Sequence, residues 1–225
     1  MFDGRSRSFG RIGALVLHPR SYFAQLRRPR VLGPLTVIVA IFIVSSCLTI
    51  DIAVNEEVAR LSQRGIDIQS LRDQGANPDL KLKVKALFFE GLGCFLSPSV
   101  AALLGWGLAS LILDGLRYAI ILSIVLMGEI IYDLGELIRA VLIAVRETTN
   151  ITFSPLAITT LIGLKMPSQL SAIMSQLELF RIWQITLVAI GYSAVLSLPM
   201  KTGVKLSILS VGCFSIIRII WVVLC

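Results

Sequence analysis

Histidine is almost missing from this chain: His18 is the only one in 225 residues. A HExxH zinc site needs two imidazoles. A Ser-His-Asp hydrolase needs one beside its nucleophile, whereas His18 precedes Pro19 at a helix start and reads as a cap-like surface residue. Cysteine is sparse and unpatterned. Cys47, Cys94, Cys213 and Cys225 show no CxxC spacing, which argues against zinc and thioredoxin-type chemistry. All four lie in or beside apolar runs, where cysteine serves as a small hydrophobe. No G-x-S-x-G, Walker loop or nucleotide-binding GxGxxG occurs. No catalytic set, no cofactor and no metal are therefore expected. A metal would have to be a hard cation held by carboxylates alone. Nor does a helix-turn-helix or RNA-binding module accompany the arginines, so nucleic acid is not an expected partner. The first residues also lack a cleavable signal, because Phe9 to Leu17 is followed by Pro19 and more arginine rather than a small-residue cleavage site.

Apolar side chains are abundant. They make up 56% of the chain, and the mean hydropathy is +0.84. Soluble proteins are about 45–50% apolar. The chain is predicted to be an all-α, polytopic membrane protein with five transmembrane helices and an N-terminal interfacial amphipathic helix. Its net charge of +7 is uneven: residues 1–30 hold seven Arg against one Asp. Such an arm reads as a cytoplasmic anchor beside anionic headgroups. Residues 1–30 thus form a basic cytoplasmic arm, and residues 31–225 the membrane domain.

Within the arm, Pro19 suits a first helical turn, and Tyr22, Phe23 and Leu26 share a face ringed by Arg20, Arg27 and Arg28. This predicts a helix lying in the membrane interface, with a plain linker into the first span as the alternative. The first span is about 31–50, with Pro34 in its first turn and Asp51 marking its exit. Residues 51–86 are polar. Val54, Val58 and Leu61 repeat at helical spacing until Gly65, and Asn77-Pro78-Asp79 signals a new helix start. The second span is about 86–113, with Glu90 near its start and Pro98 able to kink it. Ala101, Gly105 and Ala109 lie four apart and form a groove for close helix approach. After the Asp114–Arg117 turn, the third span runs about 118–145. Pro155 to Leu164 is too short to span and reads as a surface or re-entrant piece, and Pro167 to Glu178 as an amphipathic connector. The fourth span is about 180–198, with Ala189, Ser193 and Ser197 as a second small-residue stripe. The fifth is about 204–224, with Arg218 near the chain end. The basic arm places the N-terminus in the cytoplasm and, with five spans, the C-terminus outside.

Several stretches carry a resemblance. HPRSYFAQLRRPRVLGPL (18–35) resembles the opening of prokaryotic Yip-domain proteins, where Pro19, Tyr22 and Phe23 precede the first span and Pro34 begins it. Residues 56–73 resemble the family's short helix-Gly-helix segment, and SPLAITTLIG (154–163) its run before the fourth span. LELFRIWQITLVAIGYSAVLSLPMKTGVKLSIL (177–209) resembles its most recognisable stretch, through Phe180, Trp183 and Gly191. The resemblance covers about residues 18–224. The acid-rich GEIIYDLGEL (128–137) departs from the family's smoother, often Pro-containing run, and Glu178 and Leu179 stand where the family commonly has an Asp or another polar residue. What the resemblance implies is a five-span helical protein with a cytoplasmic N-terminus in a prokaryotic plasma membrane. Eukaryotic members associate with prenylated Rab-type GTPases and reticulon-like partners. By analogy the expected partners are lipids and other membrane proteins or further copies of the chain.

The third span holds the one unusual chemical feature. Glu129, Asp133 and Glu136 recur at i, i+4 and i+7 on one helical face, and Arg139 lies three beyond Glu136 and can pair with it. Ionisable groups at bilayer depth cost several kcal/mol unless paired, hydrated or turned towards protein. Two readings follow. The face is a path for protons, ions or a small-molecule cargo, with Glu129 and Asp133 as carriers and Arg139 as counter-charge. Or it is structural, pairing with Arg117, Arg218 or Ser/Thr groups, or lying at an aqueous surface beyond Met127.

Overall fold

A computed structural model describes residues 13, 15–24, 29–64, 78–147 and 179–213. The described residues form helices and turns, with no strand. In chain order the helices are α1 (Pro19–Ala24), α2 (Leu32–Gln63), α3 (Pro78–Ser110), α4 (Tyr118–Arg146), α5 (Leu179–Val195) and α6 (Met200–Ser210). Three of them, α2, α3 from Leu80, and α4, are long and apolar enough to cross a membrane, consistent with an integral membrane protein.

Asp51 does not end the first helix. α2 runs 12 residues further, to Gln63, because Val54, Val58 and Leu61 keep helical spacing and a membrane boundary is not a helix boundary. At 1.5 Å per residue its 32 residues extend about 48 Å, well beyond a hydrocarbon core of about 30 Å. α3 starts at Pro78, where a missing N–H costs little, and passes through Pro98 without ending. α4 begins within a residue of its expected start and ends at Arg146, with Glu147 as a left-handed cap at φ 52°. α5 stops at Val195, so Ser197 belongs to the following turn, at φ 54°, and not to a helical stripe. α6, at 200–210, starts four residues before the region assigned to the fifth span and covers 204–210 of it. Residues 214–225, including Arg218, lie outside the described residues, as do 148–178.

The helices alternate in direction. Asp51 of α2 pairs with Lys83 of α3 at one end. At the other end the tight turn after α3 is closed by Trp106 Nε1 donating to the Leu116 carbonyl (2.9 Å), while the Tyr118 hydroxyl donates to Ser99 O (3.1 Å). α5 runs antiparallel to α4, since Gly135 meets Phe180, Gly128 meets Gln184 and Val188, and Gly191 meets Ile124. α6 returns antiparallel to α5, with Gly203 against the Ala189 carbonyl and Ser207 Oγ donating to Ile185 O at 2.6 Å.

α4 is the central strut. Of its most apolar window 61% is buried, against 17% for α2 and for α3. Ile121, Ile124, Val125 and Leu126 sit in its core with Ala101, Ala102 and Ala109 from α3 and Val188 and Tyr192 from α5. The segment before α2 is pinned to this strut: the Arg30 N–H donates to Ser123 Oγ, which donates back to the Arg30 carbonyl (2.9 Å each). α1 also turns its aromatic face inward. Phe23 is buried beside Gly191, and the Tyr22 hydroxyl lies 3.4 Å from Met127 Sδ. Leu26 lies outside the described residues.

Candidate functional site

The acid face of α4 meets protein. Glu129 lies about 17 Å along the helix from Tyr118, and Asp133 about 22 Å. At that level the N-terminal turns of α5 come in beside it. Glu129 is 7% exposed and Gln184 fully buried. The Gln184 amide is used at both ends: Nε2 donates to Glu129 Oε2, and Oε1 accepts from Arg181 Nη1 at 2.5 Å. The Arg181 guanidinium also stacks over the Tyr132 ring, 3.8 Å from its centre. A cation over an aromatic face is held by the ring quadrupole. An arginine, a glutamine and a tyrosine from two helices thus lock one carboxylate in place.

The expected pairing of Arg139 with Glu136 is present, at 3.6 Å and one turn along the same helix. The counter-charge role expected of Arg139 toward Glu129 and Asp133 goes to Arg181, the cation whose field reaches both. Arg117 does not take part. It is exposed at the start of α4, twelve residues before Glu129. Asp133 sits in the fields of Glu129, Glu136 and Arg181, and its Oδ2 is buried with no hydrogen-bond partner among the described residues. Glu90 of α3 is near enough to feel Glu136, and Cys94 of α3 to feel Glu129, Asp133 and Glu90. Bonds and stacking join α4 and α5, and Glu90 of α3 adds a nearby carboxyl, so that carboxyls at 90, 129, 133 and 136 and guanidiniums at 139 and 181 share the region. No group of three or more His, Cys, Asp or Glu among the described residues is arranged to hold a metal.

Arg181 and Gln184 went unread in the sequence. Arg181 lies at the start of the expected fourth span, and Gln184 is one polar residue in an apolar run. The available signal was their i, i+3 spacing, which puts both on one face of a helix that must cover an acidic neighbour.

The small-residue positions are filled by the chain's own helices. Ala101 and Ala109 are buried, and a Cβ on Gly105 would strike the Tyr192 hydroxyl and crowd Ile121. Ala189 receives Gly203, while Ser193 Oγ donates to the Leu198 carbonyl at 2.9 Å and so closes the turn after α5. The residues that carry the family resemblance are spread along the bundle. Phe23 lies over Gly191, Phe180 over Gly135, Pro34 is buried in the first turn of α2, and Pro19 opens α1. Trp183 is on the outer side of α5, 40% exposed.

No family model, curated protein or solved structure matches the chain.

Proposed function

We propose that this chain is a non-enzymatic, five-span membrane protein of Yip type, with a cytoplasmic N-terminus and a prokaryotic plasma-membrane location. It acts as a scaffold that holds partner membrane proteins or further copies of itself. One observation carries the reading: the acid face of α4 is closed by Gln184 and Arg181 of the same chain, so its charges tie helices together. Small-residue contacts support a rigid body whose outer apolar faces remain for lipid or partners. α5, at 17 residues and about 26 Å, is at the short end of what spans a core. α1, with Phe23 turned inward and Arg20 outward, is a helix held at the interface by the bundle.

A second reading rests on Asp133. Its buried, unbonded Oδ2, among more carboxyls than guanidiniums, is what a proton- or cation-coupled permease component would place along its path. In that case Glu129 is a fixed, amide-held charge and Asp133 the carrier. Flux into proteoliposomes by wild type and Asp133→Asn separates the two. Charge-dependent flux lost in the variant defeats the scaffold reading. No flux in either, with membrane proteins or further copies recovered by crosslinking, defeats the permease.

A further inference from the structure

The end of the bundle far from the acid network carries a different kind of charge. The start of α2, the turn between α3 and α4, and the turn between α5 and α6 all meet there. The described, exposed ionic side chains of these segments are Arg30, Arg117, Lys201 and Lys205, with Asp114 the one acid. The opposite end mixes both signs, pairing Arg60 with Glu56 and Glu57, and Lys83 with Asp51. Next to the basic groups sit large apolar side chains that no described residue covers: Leu32 (79% exposed) and Leu111 (83%), with Ile112 and Met200. The positions are fixed by the fold. Arg30 is held through its backbone by Ser123, and Arg117 stands at the end of a turn clamped by Trp106.

We infer that this rim binds anionic phospholipid headgroups, with Arg30, Arg117, Lys201 and Lys205 on the phosphates and Leu32, Leu111 and Ile112 against the adjoining acyl chains. A soluble anion would use the cations and leave the leucines in water. A zwitterionic lipid would use the leucines and gain little from the cations. Only a lipid with net negative charge satisfies both layers. Each basic group near such a surface contributes about fivefold to the preference, and salt weakens it.

The test is native mass spectrometry of the full-length protein, equilibrated with equal phosphatidylglycerol and phosphatidylcholine, for wild type, Arg117→Gln, Lys201→Gln and, at the opposite end, Arg60→Gln. All three positions are exposed, and helix content by circular dichroism checks each fold. Wild type is expected to retain phosphatidylglycerol preferentially. Arg117→Gln and Lys201→Gln should each reduce that preference about fivefold, and Arg60→Gln should leave it unchanged. Equal retention of the two lipids by wild type would overturn the assignment, as would an equal loss in Arg60→Gln. Displacement of the lipid by inorganic phosphate at the same concentration would overturn it too, since the apolar layer would then contribute nothing.

Discussion

Replacing Gln184 with leucine removes the amide that links α4 to α5 while keeping nearly the same volume. The amide makes two bonds to charged groups, accepting from Arg181 at 2.5 Å and donating to Glu129, and it is fully buried. In water-soluble proteins such bonds contribute about 1.5–3 kcal/mol each. Side-chain bonds between helices in a bilayer average about 0.6 kcal/mol. The two therefore amount to between about 1 and 6 kcal/mol. The loss belongs near about 3 kcal/mol, because the Glu129 carboxylate stays behind, 7% exposed and without its donor. Leucine at both 129 and 184 removes donor and acceptor together, so its cost falls short of the summed single costs by about 1–3 kcal/mol. Reversible unfolding in bicelles, followed by helix content, gives the cycle. Additive costs would refute the claim that Gln184 and Glu129 act as a unit, and a Gln184→Leu variant as stable as wild type would refute the bond's contribution altogether.

Three further outcomes follow from the packing. Gly203→Ala puts a Cβ 2.6 Å from the Ala189 carbonyl, backbone that cannot step aside, and should cost about 1–3 kcal/mol, whereas Gly107→Ala meets nothing within 4 Å and should be neutral or slightly stabilising. Thermal unfolding of the pair checks the contrast. Gly135→Ala drives a Cβ into the Phe180 ring, and Phe180→Leu in the same chain should recover part of that loss. Glu147→Gly relieves a non-glycine residue of φ 52° at the end of α4 and should raise stability by up to about 1 kcal/mol, read in the same unfolding assay.

Much of the fold was legible because local signals fall where the backbone needs them. Asn77-Pro78 announced α3, Gly65 followed the end of α2 by two residues, and the Asp114–Arg117 turn set the start of α4. Asp51 marks a change of polarity and not the end of a helix, and the helical spacing of Val54, Val58 and Leu61 continues α2 beyond it. The acid face was plain from its i, i+4, i+7 spacing. Its partners were not, since Gln184 is 55 residues from Glu129 and depends on how α5 docks. Local spacing correctly paired Arg139 with Glu136 on the same helix, but could not show that Arg181 of α5 is the cation beside Glu129 and Asp133. The stripe at 189, 193 and 197 failed at its last member for a similar reason: four-residue spacing is meaningful only while the helix lasts, and α5 ends at Val195.

The account rests on the carboxyls of α4 being covered by α3 and α5 and not by lipid. Its most direct test is footprinting of the unmodified chain in a bilayer with a photoactivated, lipid-dissolved diazirine, read by peptide mass spectrometry. Label should collect on the outer face of α3, at Phe88, Leu96 and Leu103, which are exposed, and spare Glu129 and Asp133. Label on Glu129 at the level found on Leu103 would contradict the account.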